Sequence, residues 1–228
     1  MTDRDYVSLM ISCTRRSDTL FKITEHEVAG SASEKSLLRL PHPEWIPEQF
    51  RLCARQNDGY TLKWHSRSDC PELPPCEGCI QLLPLRTTLR NWKEHIYFGW
   101  PEEPRRRRAF KVVDFFTPEA CVGFYHDAQL DPGLYFFELG EGGEPYPLYV
   151  DLKGYLTLLS YTLGYKYWQL ALLQLLPPDE RNPGFQSNLT FTDKFRRDLS
   201  AWVPEFDYNK FVTIYQQVKL RNYIPSAL

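Results

Sequence analysis

Residues 46–64 (IPEQFRLCARQNDGYTLKW) have the pattern of a short helix that leads through a tight turn into a strand. Pro47 suits the start of a helix, and the apolar residues that follow recur at helical spacing. The segment 57–59 (NDG) favours turn geometry, and residues 60–64 (YTLKW) then alternate between apolar and polar types. This alternation predicts a strand with one buried face.

A second informative stretch is residues 146–168 (YPLYVDLKGYLTLLSYTLGYKYW). It predicts a strand followed by one long apolar helix, with Asp151 as the helix N-cap. Pro177 and Pro178 mark the end of this helical region, because proline cannot continue a helix. The apolar run contains Gly164 and is rich in tyrosine, so it indicates a buried core helix rather than a membrane span.

Between these stretches, residues 109–116, 120–126 and 133–139 read as three short strands separated by turn signals, the pattern of an antiparallel meander. The sequence therefore predicts an α+β fold with a twisted antiparallel sheet flanked by helices. Residues 1–176 are expected to form the α+β domain. Residues 177–228 carry two amphipathic helical patterns, expected to form a C-terminal helical extension packed on the core or on a partner.

Together the two stretches resemble the SUKH superfamily. In the first, the resemblance rests on Ile46-Pro47, Phe50, the turn at 57–59 and the strand ending at Trp64; in the second, on Tyr155-Leu156, Gly164 and Trp168. It covers roughly residues 40–175. The superfamily comprises small intracellular α+β proteins, among them a fungal cell-wall regulator and many bacterial immunity proteins that neutralise polymorphic toxins.

The resemblance implies that this chain is a bacterial-type immunity protein that binds a cognate toxin and occludes it, with no catalysis of its own. A regulatory scaffold of the same fold is a second hypothesis. An enzyme or a protein that binds a small ligand is a third. The sequence contains no Gly-x-Ser-x-Gly, HExxH or Walker motif, and its five histidines lie apart from any clear nucleophile.

A protein partner would contact aromatic anchors surrounded by charge, as tight interfaces do. We expect Tyr125, Tyr135 and Glu138 to lie on an exposed part of the sheet and to form this surface, with Glu141 beside them.

His65, Cys70, Cys76 and Cys79 are the alternative candidates for chemistry, because two cysteines separated by two residues can share a zinc ion. A strong zinc motif has two such pairs, whereas this segment has one. We therefore favour a reduced loop without metal, and we expect no cofactor.

The charge of the chain limits the classes of partner that it is expected to bind. The net charge of −2 gives no general attraction to nucleic acid or to anionic membranes. The basic run at 105–108 is flanked by acidic residues and proline, so it reads as a solvated loop.

The N-terminal residues lack a signal-peptide pattern, so we expect a cytoplasmic protein with reduced cysteines.

Overall fold

The computed structural model describes residues 5–96, 108–139, 144–180, 189–221 and 223. Its centre is an open antiparallel sheet in which the strands lie in sequence order. This confirms the predicted α+β class and the meander. The strands are β1 (Lys22–Val28), β2 (Tyr60–His65), β3 (Glu77–Leu82), β4 (Phe110–Thr117), β5 (Ala120–Tyr125), β6 (Tyr135–Glu138) and β7 (Tyr146–Pro147).

The helices lie before, between and after these strands. They are α1 (Asp5–Leu20), α2 (Glu34–Leu37), α3 (Glu48–Gln56), α4 (Leu85–Thr88), α5 (Lys93–Ile96), α6 (Leu152–Tyr161), α7 (Trp168–Leu175), α8 (Leu189–Trp202) and α9 (Tyr208–Val218). Two short 3-10 helices occupy Pro43–Trp45 and Pro178–Glu180.

The first stretch folds as its pattern predicts. Pro47 precedes α3, which buries Phe50 and Ala54. Gly59 then adopts a φ of 128°, a conformation that side-chain-bearing residues rarely take, so the turn requires glycine. Strand β2 follows with its even-numbered residues buried and its odd-numbered residues half-buried. The local pattern is therefore sufficient to specify this unit.

The second stretch differs from its prediction, because the long helix is interrupted between α6 and α7. Leu163, Gly164 and Tyr167 all have positive φ values there. The backbone groups freed by the break pair with the start of β3: the Cys79 amide donates to the Gly164 carbonyl at 2.9 Å, and the Lys166 amide donates to the Glu77 carbonyl at 3.0 Å. Tertiary pairing thus replaces one turn of helix.

The hydrophobic core has two parts, one on each face of the sheet. The larger part contains the buried residues of α1, α3, α6 and α7 and those of the C-terminal helices, including Phe195, Leu199, Phe211 and Tyr215. Helices α8 and α9 therefore pack on the same core as the sheet. The proposed division of the chain at Pro177 stays a prediction about domain organisation.

The smaller core covers the second face of the sheet over β4, β5 and β6. Trp92 and Ile96, from the segment around α5, pack there against Phe110, Val112 and Phe137. Strands β1, β2 and β3 have no such cover among the described residues, so in this part of the chain that half of the second face is open.

The two halves of the sheet meet at a seam between β3 and β4. The register there is limited to the pair Leu82 and Asp114, and β4 changes register on both sides of Asp114. The carboxylate of Asp114, which is fully buried, accepts the Gln81 amide of β3 at 2.9 Å and the Tyr155 hydroxyl of α6 at 2.7 Å. In a sheet, a main-chain amide usually donates to a main-chain carbonyl. Here the carboxylate of Asp114 takes the place of that carbonyl as the acceptor.

Asp151 connects the two stretches on which the fold prediction rests. Its Oδ1 atom caps α6 by accepting the Gly154 amide at 2.8 Å, and its Oδ2 atom accepts the Gln49 side chain of α3 at 2.6 Å. We expect Asp151→Ala to lower the free energy of unfolding by about 1–2 kcal/mol, because a cap and an inter-helix hydrogen bond are both lost. Urea denaturation followed by circular dichroism measures the loss.

The matched control for this prediction is Asp207→Ala. Asp207 caps α9 by accepting the Asn209 amide at 2.8 Å. Its loss should cost about 1 kcal/mol or less, because the site is exposed. Equal losses in the two variants would show that the contact with Gln49 adds nothing to the cap.

Candidate functional site

The open face is the part of the second sheet face formed by Thr61, Lys63 and His65 on β2 and by Glu77, Cys79 and Gln81 on β3. These residues alternate with buried ones along each strand and lie opposite one another in the order Thr61 with Gln81, Lys63 with Cys79, and His65 with Glu77. Strand β1 extends the rows, with Glu25 opposite Lys63 and Lys22 opposite His65. The result is a polar surface three strands wide.

Ion pairs on this surface place opposite charges side by side. Lys63 Nζ lies 2.7 Å from Glu25 Oε2, and Lys166 Nζ lies 2.8 Å from Glu77 Oε1. The hydrogen bond that Lys63 donates to Glu25 raises the pKa of Lys63, and the one that Lys166 donates to Glu77 raises the pKa of Lys166. Both lysines are therefore charged at neutral pH.

A cleft of about 500 Å³ lies next to the open face. The groove on the open face, about 360 Å³ in volume, shares His65, Glu77 and Lys166 with the cleft, so the two form one continuous concave surface. The rest of the cleft is lined chiefly by aromatic and basic side chains, including Tyr165, Tyr167, Phe191 and Lys194.

Asp198 stabilises the wall of the cleft by accepting hydrogen bonds from the residues around it, and its side chain is fully buried. Its carboxylate accepts the Tyr165 hydroxyl at 2.9 Å and Lys194 Nζ at 2.5 Å, while Arg197 donates to its other oxygen at 2.9 Å. Burial raises the pKa of Tyr165 to about 12. Burial tends to lower the pKa of Lys194, but the hydrogen bonds to Asp198 and Tyr165 outweigh it and raise this pKa. The network fixes an ammonium group and an aromatic ring at the cleft wall.

Neither a protein-family model nor a curated protein or a solved structure matches the chain. The resemblance to the SUKH superfamily therefore stays a prediction from the sequence.

The expected partner surface on β5 and β6 differs from what the structure shows. Tyr125 and Tyr135 are 2% and 0% exposed, and their rings contact each other in the smaller core at a centroid distance of 4.9 Å. Glu138 is half-buried and lies opposite Ala120, a residue of the larger core. The prediction of exposed tyrosines was wrong because Trp92 and Ile96 cover this half of the sheet. Glu141 lies outside the described residues.

The alternative zinc ligands do not form a cluster. Within the described residues, no group of three or more His, Cys, Asp or Glu side chains could hold a metal ion. Cys76 precedes β3 and is buried in the larger core, whereas Cys79 on β3 is half-buried and lines the groove on the open face. Burial raises the pKa of both thiols to about 12, so both stay protonated at neutral pH.

The residues that form the concave surface include several that the sequence analysis did not select. Lys63 could have been found, because the alternation in residues 60–65 already directs it away from the core, as it does His65, which was selected only as a possible zinc ligand. Lys166 and Lys194 could not have been found, because they meet only through the break between α6 and α7 and the packing of α8.

None of the described helices is both long and apolar enough to cross a membrane.

Proposed function

We propose that the chain is a protein-binding protein whose open face and adjoining cleft hold a partner. In the cell it acts as an immunity protein that occludes a cognate toxin and performs no catalysis, as the sequence resemblance implies. The observation that carries the proposal is the continuous concave surface on which Glu25, Lys63, Glu77 and Lys166 alternate in sign beside aromatic rings.

The composition of this surface supports partner recognition. Exposed ion pairs contribute only about 0–1 kcal/mol to stability, so the fold does not depend on these four charges. A partner with the complementary pattern gains specificity from them, because a wrong partner brings like charges together. The rings of Tyr167 and Phe191 supply the apolar contact area that interface anchors use.

The test starts from affinity capture in native lysate, followed by mass spectrometry of the bound proteins. The dominant partner is then expressed with and without this chain. A partner that kills cells only when this chain is absent supports the immunity function. Many weak, harmless partners would instead support the regulatory scaffold, and capture of nothing above background would contradict protein binding.

A charge swap locates the binding surface without removing an ion pair. We expect the double variant Glu25→Lys/Lys63→Glu to bind the captured partner at least about tenfold more weakly, because the pair is kept while the pattern presented to the partner is reversed. Its free energy of unfolding should change by less than about 1 kcal/mol. Titration calorimetry and urea denaturation measure the two quantities.

The control swap is Glu34→Arg/Arg55→Glu, which reverses an exposed pair of 2.6 Å between α2 and α3. Neither residue lines the open face or the cleft. This variant should bind the partner as the wild type does. If both swaps weaken binding equally, the open face is not the contact surface.

The cleft also favours a second candidate function, the binding of a small anionic aromatic ligand. Lys166 and Lys194 supply positive charge, while Tyr165, Tyr167 and Phe191 supply rings for stacking. A ligand of this kind would raise the melting temperature by mass action. A melting screen with aromatic carboxylates, compared between the wild type and Lys194→Gln, separates this function from protein binding.

A further inference from the structure

A second groove lies away from the partner surface and shares no residue with it. It has a volume of about 550 Å³ and runs between the segment around α2 and the segment around α4. Three arginines line it, namely Arg39 on one side and Arg86 and Arg90 on the other. Arg39 lies far from Arg86 and Arg90 in the sequence, so the fold brings the two sides of the groove together.

The three guanidinium groups have no carboxylate partner in the part of the chain that the structure describes. All three side chains are exposed, and none of them forms an ion pair with a described residue. The acidic residue of α2, Glu34, is paired with Arg55 at 2.6 Å instead. Asp58, which also lines the groove, uses its Oδ1 atom to accept the Leu85 amide at 2.7 Å. The rim of the groove therefore carries unneutralised positive charge.

The floor of the groove is apolar. Leu37, Leu85 and Leu89 are buried beneath it, and Leu40 is half-buried at its side. Among the described residues, no aromatic ring lines the groove, so this part of the chain offers a nucleic-acid base no stacking partner there. A ligand that fits this site has an aliphatic group for the floor and carboxylates for the rim.

The groove is pre-formed by local hydrogen bonds. On one side the Ser33 side chain caps α2, and the Leu40 amide donates to the Leu37 carbonyl at 3.2 Å. On the other side the Leu89 amide donates to the Leu85 carbonyl at 3.0 Å. Asp58 then ties α4 to the turn before β2. A rigid site loses little conformational entropy when it binds, so its contacts contribute more fully to affinity.

We propose that this groove binds an acidic peptide segment of a partner protein, with one aliphatic side chain on the leucine floor and flanking carboxylates on the three arginines. Guanidinium groups suit carboxylates because they donate two parallel hydrogen bonds to them. The site is independent of the proposed function, because its residues are distinct from those of the open face and the cleft.

The test uses the full chain and a dye-labelled pentapeptide, Glu-Asp-Leu-Asp-Glu, in fluorescence anisotropy titrations. Two peptides serve as controls: Gln-Asn-Leu-Asn-Gln removes the charges, and Glu-Asp-Ser-Asp-Glu removes the aliphatic group. We expect the acidic leucine peptide to bind at least about tenfold more tightly than either control. Equal binding of the serine peptide would contradict the role of the leucine floor.

Substitution of the arginines identifies the site. Arg39→Gln/Arg86→Gln/Arg90→Gln should weaken binding of the acidic peptide by at least about tenfold, since charge-assisted contacts are lost. The control triple variant, Arg15→Gln/Arg67→Gln/Arg196→Gln, removes the same charge from exposed positions that do not line the groove. It should leave the affinity within about twofold of the wild type.

Three outcomes would overturn the proposal. The first is an equal loss of affinity in both triple variants, which indicates attraction by net charge alone. The second is failure of the acidic peptide to bind the wild type at all. The third is displacement of the peptide by inorganic phosphate or by single-stranded DNA at concentrations where the neutral peptide has no effect, which identifies the groove as a phosphate site. Circular dichroism confirms that both triple variants are folded.

Discussion

Trp64→Ala is expected to destabilise the protein by about 3–5 kcal/mol, the largest loss for any single substitution considered for this chain. The indole is only 2% exposed and stacks on Phe21 at a centroid distance of 3.8 Å. Its Nε1 atom donates to the Leu163 carbonyl at 2.7 Å, within the break between α6 and α7. The substitution therefore removes core volume and also leaves a buried carbonyl without its donor.

The residue on β3 that lies opposite Trp64 provides a more specific test of how tightly the indole is packed. Gly78 lies opposite Trp64, and a Cβ atom at Gly78 would lie 2.1 Å from the indole. Gly78→Ala should thus be strongly destabilising in the wild type and much less so in the Trp64→Ala background, where space is available. The double-mutant cycle should give a coupling of about 1–3 kcal/mol. Additive losses would show that the indole does not limit this position.

Trp45→Ala is the matched control for the loss of an indole. Trp45 is half-buried and stacks on His42 at the surface, with a ring-centroid distance of 3.8 Å. Its removal should cost about 1 kcal/mol, as for other partly exposed sites. Urea denaturation followed by circular dichroism suits both tryptophan variants, since it does not depend on indole fluorescence.

Asp114→Ala is expected to lower the free energy of unfolding by about 3 kcal/mol, because the Gln81 amide and the Tyr155 hydroxyl both lose their acceptor in the core. Asp114→Asn keeps the shape and one acceptor oxygen, so it should cost much less. Equal losses in the two variants would mean that the hydrogen bonds at the seam do not stabilise the fold.

The ionisation of Asp114 adds a pH dependence whose sign follows from its environment. Burial raises the pKa of this carboxyl from its ordinary value of 3.8 to about 6. The folded protein therefore holds the proton more tightly than the unfolded chain does. The resulting stabilisation is fully present below pH 3.8 and is lost as the pH rises through about 6.

Comparison with Asp114→Asn isolates this effect from the other titrating groups. Between pH 5 and pH 7 the wild type should lose about 1 kcal/mol more stability than the Asn variant does. Urea denaturation at the two pH values measures the difference. Parallel pH profiles for the two proteins would contradict a raised pKa at Asp114.

The sequence was sufficient to predict the elements whose signals are local. Alternation in residues 60–64, the glycine turn at Gly59 and the cap at Asp151 all depend on neighbours in the chain, and each is found where it was expected. The break after α6 was missed, because the backbone groups of Gly164 and Lys166 pair there with β3, a segment distant in the sequence. An apolar run gives no local sign of such a contact.

The binding surfaces were harder to predict than the fold. Tyr125 and Tyr135 suited an interface by residue type, but Trp92 and Ile96 from the segment around α5 pack with them in the smaller core. The groove of Arg39, Arg86 and Arg90 depends on the packing of α2 beside α4. Residue type suggests what a side chain can bind, whereas long-range packing decides whether it is accessible.

The seam between β3 and β4 also bears on how the sheet opens to solvent. The Gln81 amide is bonded to a carboxylate rather than to a peptide carbonyl, so its hydrogen-exchange protection depends on the ordering of the Asp114 side chain. The seam joins β1, β2 and β3, which carry the open face, to β4, β5 and β6, which the smaller core covers. The sheet thus has a titratable side chain at this seam, and a partner in the groove on the open face would bridge it, because Phe115 and Thr117 of β4 line that groove together with Cys79 and Gln81 of β3.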